Sequence, residues 1–580
     1  MKSSNDENLK AGKDEFGGDW RHGLPDPLAG YSFARDYLAG NPQATRFTPG
    51  GPRGPDAAIA ARDANPVALL DDGELQEVMD FNISCGNLGG AERARQLSAA
   101  GTLAVVTGQQ PNLLCSPLYV LFKALTACAK AKRLEARTGR RVVPVFWVAS
   151  DDHDFQELRD CWLPDSEGLP LNLGVLVSRG RDIPVASPAY EWTLDASAER
   201  LLAGLRRQIP DGAGRRLTLD AVSNALRRPV TFESCFCRML AAYLAREGMV
   251  FVVPRMAFIR RRQRGIIRRE IEADGETTRR VMERAGELAA AGYTPLVQRR
   301  PSVLNCFYIM DRMRTRLVRR GPHIYVENPA TGAVLVEMAV GDLIEHLDRH
   351  WDSFSPNVIL RPVVQDAVLP TVEYVGGPGE ITYLAQVAPA WEFHGVAPAL
   401  PVLRTFATVI GAAGRSLLDR LGVPGAAAEH DFSRLLNRLL DADPELGRVM
   451  LGVRELEQAA EGSLGQLAAL PAAKHPHVEV AVGKTRRTMR FAIEKLRGRL
   501  ARRFAENDSR EWKDYSRLMA MLAPMSQPQE RILSPLALCG DHEPEALVAA
   551  LVEAIDFGQP EPVVAQLAAR DRHASLPEAE

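Results

Sequence analysis

Residues 150–154 read Ser-Asp-Asp-His-Asp and follow directly on the apolar run Val142 to Ala149. Three carboxylates around one imidazole repel one another unless a cation, a protonated His153 or a metal shares the site. His153, whose ordinary pKa lies near neutrality, is suited to act as general acid or base. Asp152 and Asp154 flank it as the other candidate catalytic groups, and Asp151 is a candidate binding carboxylate. Carboxylate oxygens also suit a Mg²⁺ carried by nucleotide phosphates. The competing local reading is structural: an aspartate at a strand-to-helix turn caps the next helix.

Two further clusters have a similar setting. Gly108-Gln109-Gln110 ends the apolar stretch Leu103 to Thr107, and Ser116-Pro117 follows with the order of an N-cap and a first-turn proline. That order predicts a helix whose free N–H groups face an anion. As a phosphate motif the triplet lacks the glycine density of a P-loop. Gly376-Gly377-Pro378-Gly379-Glu380 joins a second apolar stretch, Thr371 to Val375, to ITYLAQVAPAW, and its glycines permit a tight turn or close approach to a ligand. Asn357, Arg361, Gln365, Asp366 and Tyr374 add polar groups ahead of this turn, some of them read as structural pairings, and Tyr383 follows it. Arg260, Arg264 and Arg268 share one face of an arginine-rich helix expected from about 258 to 286. Such a face is ordinarily solvated, a carboxylate or phosphate clamp being the alternative. His346 and His350 lack the glutamate of a zinc-binding H-E-x-x-H and read as surface helix, and no G-x-S-x-G nucleophile motif is present.

The elements that must position these groups follow from periodicity. Leu103 to Thr107 predicts a strand, Ser116 to Gly139 a helix ended by a left-handed glycine, and Val142 to Ala149 a strand buried on both faces. Pro144 weakens the start of that strand. Strand, helix and strand in about fifty residues make a βαβ unit, and ligands of parallel sheets bind at the strands' carboxyl ends. Residues 160–355 mix short strands (249–253, 304–310) with helices and read as the middle of the sheet plus insertions. Residues 1–60 read as a loosely structured arm of little chemistry, 61–404 as the α/β core, 405–520 as almost wholly helical and 521–580 as a segment returning to the core. Leu446, Val449, Val453, Leu456, Ala460, Ser463, Leu467 and Leu470 form a heptad seam. A second runs through Val478, Val482, Thr485, Met489, Ala492 and Leu496 after the break at 471–476. A protruding antiparallel hairpin that pairs two copies of the chain is the expectation.

Composition narrows the partners. The 580 residues carry 71 Lys and Arg against 73 Asp and Glu, so no global field draws the chain to nucleic acid or anionic lipid. An aromatic content of 6% argues against a stacking platform for single strands. The eight cysteines are scattered without a disulfide or zinc pattern. The polar N-terminus lacks the apolar region of a secretory signal, and Gly-Gln-Gln-Pro-Asn interrupts the one long uncharged run, so a cytoplasmic, non-membrane protein is expected.

Taken together, VVTGQQPNLLCSPLYVLFKALTACAKAK (105–132), VVPVFWVASDDHDFQEL (142–158), NVILRPVVQDAVLPTVEYVGGPGEITYLAQ (357–386) and PQERILS (528–534) resemble one family, the cysteine ligases of bacillithiol biosynthesis, or BshC family. The resemblance runs from ARDYLAG at 34–40 almost to the C-terminus. It implies a Rossmann-like, nucleotidyltransferase-like α/β core with connecting insertions and a helical coiled-coil domain that mediates homodimerisation. It also implies the last step of bacillithiol synthesis, joining the carboxylate of cysteine to the amine of glucosaminyl malate. Gly108, Gln109 and Gln110 match the family's GQQ. Asp152, His153 and Asp154 match its D-H-D, and Gly376, Gly377, Pro378, Glu380 and Tyr383 its glycine turn. Asp151 replaces a frequent Glu and Cys115 a usual Thr.

A carboxylate is a poor acyl donor, so the expected reaction uses ATP with Mg²⁺ for activation, with no tightly bound metal. Two other classes remain open on the residues alone. A metal-dependent hydrolase would ligate its ion through Asp151, Asp152, His153 and Asp154, and a non-catalytic coiled-coil protein would keep only a nucleotide pocket.

Overall fold

The computed structural model describes residues 24–567 apart from 52–53, 166–169, 178–185, 210, 424–431, scattered positions between 433 and 443, and much of 471–509. The strands used below are β1 (Leu103–Gln109), β2 (Val142–Val148), β3 (Val250–Val252), β4 (Val303–Met310), β5 (Met313–Arg320), β6 (His323–Glu327), β7 (Val334–Ala339), β8 (Phe354–Pro356), β9 (Thr371–Gly376), β10 (Leu400–Leu403), β11 (Ala407–Ile410) and β12 (Val563–Gln566). The helices used below are α1 (Ser32–Leu38), α2 (Tyr119–Thr138), α3 (Pro378–Val387), α4 (Pro444–Ala469) and α5 (Arg510–Leu522).

The core is a five-stranded parallel sheet in the order β10-β9-β1-β2-β3. The chain starts in the middle, winds one way through β2 and β3, then returns to the other side through β9 and β10. This is a doubly wound, Rossmann-like order, whose ligand crevice opens where the winding reverses, between β1 and β9. β2 is buried along its whole length, as its unbroken apolar run requires. Pro144 is accommodated opposite Val105, and β3 joins only from Val145 onward.

Helix α2 supplies the crossover from β1 to β2, burying Val120, Leu121, Phe122, Leu125 and Leu134, and it ends at Gly139 with φ 67°. Its start differs from expectation. Leu113–Cys115 form a 3-10 turn in which Leu114 and Cys115 have φ of 53° and 60°, and Ser116 is extended. Ser116 is therefore fully buried ahead of the helix and caps nothing. The N–H groups of Leu118 and Val120 are taken by the carbonyls of Leu533 and Pro117, so this helix start offers no anion site.

Residues 303–356 do not extend the main sheet. They form a separate antiparallel sheet, β8-β4-β5-β6-β7, and only β3 of the 160–355 region joins the core. The arginine-rich stretch is three helices, Ala257–Arg262, Arg264–Glu272 and Glu276–Ala290. Asp274 and Gly275, at φ 49° and 79°, break the last two apart. A side chain at 275 would strike the Pro301 carbonyl at 2.3 Å.

The supposed arm is folded from residue 24. Leu28, Phe33, Ala44 and Phe47 pack on Leu288, Ile381, Leu403 and Phe406, fixing α1 against α3. The helical region contains one strand, β11, paired in parallel with β12 from the C-terminal segment. The expected break at 471–476 lies outside the described residues; beyond it, Arg486 and Arg490 meet Glu461 on α4 at 3.3 and 2.6 Å. Val453, Leu464 and Ile493 are buried, whereas Leu456, Leu467 and Leu470 of the expected seam are about half exposed. Among the described residues no helix is long and apolar enough to cross a membrane. All eight cysteines are free and buried.

Candidate functional site

A cavity of about 770 Å³ opens at the carboxyl edge of the main sheet, between the ends of β1 and β9. Gly108, Gln109 and Gln110 form one wall, Gly377, Pro378, Gly379 and Glu380 the opposite one, and Asp151, Asp152 and His153 enter after β2. The antiparallel sheet adds Phe307 and Arg314. Tyr31 from the N-terminal segment and Arg531 from the C-terminal one complete the rim. Glycine is required at 108 because a Cβ there would lie 2.9 Å from the Trp147 carbonyl of the neighbouring strand.

The two walls are tied together by Lys123, which α2 carries into the cavity floor. Its ammonium is 1% exposed and donates to Glu380 Oε2 at 2.6 Å, to Gln109 Oε1 at 3.2 Å and to the Gly108 carbonyl. Glu380 also accepts from the Gly377 N–H at 2.9 Å, satisfying a free donor at the start of α3, and from the Tyr374 hydroxyl at 2.7 Å. Burial pushes its carboxyl up, but Lys123 and these two donors outweigh that and hold it below the usual carboxylate range.

In the acidic loop the side chains diverge. Asp151 pairs at 2.6 Å with Arg260, itself buried. Asp152 accepts from the His153 N–H at 2.7 Å and from the amide of Gln110. Asp154 faces away, exposed, and accepts from the N–H groups of Gln156 and Glu157, capping the short helix Phe155–Leu158. His153 lies in the cavity with Nδ1 3.3 Å from Arg314 Nη1. Burial, then the neighbouring Arg314 guanidinium, lowers its pKa.

Four guanidiniums at the cavity, Arg299, Arg314, Arg361 and Arg531, have no carboxylate partner among the described residues. Arg361 donates to the Tyr383 hydroxyl at 2.8 Å and to Gln365 Oε1 at 3.2 Å. Arg531 donates to the Pro27 carbonyl and faces the Tyr31 ring, 5.1 Å from its centre. Arg404, by contrast, is neutralised by Glu530 at 2.5 Å. Guanidiniums gathered around one space and not ion-paired to its carboxylates fit ligands that bring their own negative charge.

Comparison with known proteins gives a concordant result. Residues 76–405 match the family model described as "Bacillithiol biosynthesis BshC, N-terminal Rossmann-like domain", and 407–561 its "C-terminal coiled-coil domain". The chain belongs to the BshC family. A protein of Solibacter usitatus named "Putative cysteine ligase BshC" is 31% identical over 77% of this chain and 81% of its own. One of Bacillus licheniformis with the same name is 24% identical over 89% and 94%.

Against this BshC fold, the expected site residues sort by position. Gly108, Gln109, Gln110, Asp151, Asp152, His153, Tyr374, Gly377, Gly379, Glu380 and Tyr383 line the cavity. Four others do not. Asp154 serves as a helix cap, and Ser116 is sealed in the core. Gln365 and Asp366 are buried behind the wall, where Gln365 bonds Arg361 and Asp366 accepts from Trp391 Nε1 and the Ala399 N–H. Gly376 sits at the strand end with its carbonyl accepting from the Arg404 N–H, and a Cβ there would lie 3.0 Å from Glu380. The hydrolase alternative loses its ligand set, because Asp151 and Asp154 point to Arg260 and to a helix end. Among the described residues no three candidate ligands converge for a metal.

Reading from sequence missed Lys123, Arg314 and Tyr31, named Arg361 only as a polar group ahead of the glycine turn, and treated Arg260 as part of a solvated face. Arg264 and Arg268 fit that description, lying beside Asp348 on the surface. His346 and His350 are surface-helix residues, as read.

Proposed function

We propose that this cavity joins the carboxylate of cysteine to the amine of glucosaminyl malate, after activating that carboxylate with ATP. The observation that carries the reading is the set of four carboxylate-free guanidiniums facing the switch point. A triphosphate, the two carboxylates of a malyl group and the carboxylate of cysteine are all anionic, and such groups need fixed cations where water is partly excluded. A cavity of about 770 Å³ is in the range of small-molecule sites. The names of the relatives add the cysteine ligase activity, and the family description adds bacillithiol biosynthesis.

In this reading the N-terminus of α3 and the Gly108–Gln110 edge approach the phosphates, with Mg²⁺ arriving on the nucleotide. Arg361, with the Tyr383 hydroxyl, takes a substrate carboxylate. Asp152 and His153 stand nearest the reacting groups, with Asp152 suited to hold an ammonium. Holding the acyl donor and the amine in one desolvated space supplies much of the rate gain. Incubating the purified chain with cysteine, glucosaminyl malate and ATP should give the thiol product by mass, with one nucleotide product per amide. AMP would report an adenylate and ADP an acyl phosphate. Product formation without ATP, or nucleotide binding with no cysteine-dependent product, overturns the reading.

The same proposal includes homodimerisation through the helical hairpin. Leu456, Leu467 and Leu470 leave an apolar stripe along a 26-residue helix, and a second copy is its natural cover.

A further inference from the structure

The most informative contact outside the reading above is between His153 and Arg314. Arg314 comes from β5 of the antiparallel sheet, far in sequence from the acidic loop. Its own placement is over-determined. Nη2 donates to the Pro356 carbonyl at 3.1 Å and Nε to Ser355 Oγ at 3.3 Å, and the guanidinium lies 4.0 Å from the centre of the Phe307 ring. Its main-chain N–H is fixed to the Ala186 carbonyl. The residue is buried. The backbone of His153 is held as well, since Asp152 Oδ1 accepts its main-chain N–H at 2.7 Å.

A guanidinium has five donors and no acceptor. Where Arg314 Nη1 approaches Nδ1 of His153 at 3.3 Å, the only hydrogen bond available is from arginine to an unprotonated Nδ1. The proton of the neutral ring must then sit on Nε2. The nearest carboxylate oxygen to Nδ1, Asp152 Oδ1, is at 3.7 Å and already accepts the main-chain N–H. The charged groups acting on the ring are Arg314, Asp152 and Asp154, and the Phe307 ring stands edge-on to it. Burial and Arg314 lower the pKa of His153 and outweigh the two aspartates.

We propose that Arg314 is a positioning residue that fixes His153 as a neutral Nε2–H donor, so that His153 stabilises a negatively charged oxygen of the bound substrate rather than removing a proton. A base in this place would need a lone pair on Nε2, and the Arg314 contact puts the proton there. The role attached to substrate rests on the ligase reading; the tautomer does not.

The test separates the two. Long-range ¹H–¹⁵N correlation on the full chain with ¹⁵N-labelled histidine, His153 being assigned from the H153Q spectrum, reads the tautomer without any substrate. The expected result is protonated Nε2 and bare Nδ1 from neutral pH down to below the ordinary histidine range. An Nδ1–H tautomer or an imidazolium at pH 7 overturns the proposal whatever the enzyme does. In R314M, chosen to keep packing on Phe307, the tautomer preference should be lost and the His153 pKa should rise. Ligase kcat should fall at least tenfold with the acidic limb of its pH profile displaced upward, and R314K should recover part of both. Loss of kcat with an unmoved tautomer and pH limb means a merely structural arginine and also overturns the proposal. If R314M does not fold, the wild-type spectrum and R314K still decide. The expected spectrum with no ligase product would leave the tautomer standing and sink the function.

Discussion

Replacing Lys123 by methionine asks how much of the carboxyl edge of the sheet is held by one buried ion pair. The ammonium is 1% exposed, and its removal leaves Glu380 with the Gly377 N–H and the Tyr374 hydroxyl. Breaking a fully buried pair on one side costs about 3–5 kcal/mol. Glu380 keeps two donors and is 24% exposed. Those two facts place K123M at the lower end, at about 2–3 kcal/mol. E380L strands the ammonium beside two remaining oxygens and also leaves the Gly377 N–H without its acceptor, costing about 3–4 kcal/mol. With both charges gone neither is orphaned, so the double variant should fall short of the summed single costs by about 1–3 kcal/mol. Denaturant midpoints of the four proteins, followed by near-UV circular dichroism, give this coupling directly. A coupling of about zero, within the roughly 0.5 kcal/mol scatter of independent sites, would refute the ion pair as a structural tie. The pH dependence supplies a second check. Because the folded pKa of Glu380 is depressed, its contribution is present above the unfolded value, about 4.3, and is lost as pH falls through the folded value. The advantage of the wild type over K123M should therefore shrink on acidification, and a gap constant down to the acid transition would contradict the assignment.

Three further outcomes follow from the same geometry. R361M removes a guanidinium that bonds Tyr383 and Gln365 and faces the Tyr374 ring, with no ion pair among the described residues, so KM for an anionic substrate should rise about 10- to 100-fold, as expected for a lost charge-assisted bond; unchanged KM for all three substrates would exclude Arg361 from binding. D154N should keep turnover within about twofold, because asparagine caps a helix as well as aspartate, and D154A should cost about 1 kcal/mol of stability; a tenfold loss in D154N would return Asp154 to the chemistry. Under the proposed pairing, the wild type should sediment as two copies and L456E with L467E on α4 as one, and an unchanged mass at the same concentration would mean that this stripe is not the interface.

What could be read from sequence was what local physics decides. The strands at 103–107, 142–149 and 371–375 are continuous apolar runs closed by glycine or polar turns, and a parallel sheet places such turns at one edge. That is why Gly108–Gln110, Asp151–His153 and Gly377–Glu380 meet in space although 270 residues separate the ends. Asp154 was also decidable locally, since Asp-x-x-Glu at 154–157 has capping spacing. The cations were harder, for two different reasons. Lys123 carried a signal, as a lone charge within the apolar first turns of a helix between Phe122 and Leu125, where burial needs a partner. Arg314 carried none: it is one of four arginines in Met313–Arg320, and Arg260 is the first of three in succession, so only tertiary contact separates the buried members from the solvated ones. The N-terminal segment failed for a similar reason, because Phe33 and Phe47 are too widely spaced for a periodic signal and acquire their meaning only from Leu288, Ile381 and Phe406. The acids of this cavity were thus legible from their own neighbours, whereas Lys123, Arg314 and Arg531 come from α2, the antiparallel sheet and the C-terminal segment. A site whose two signs arrive from different layers shows only one of them in sequence, and here it was the acidic half that pointed toward metal chemistry until the basic half was in place.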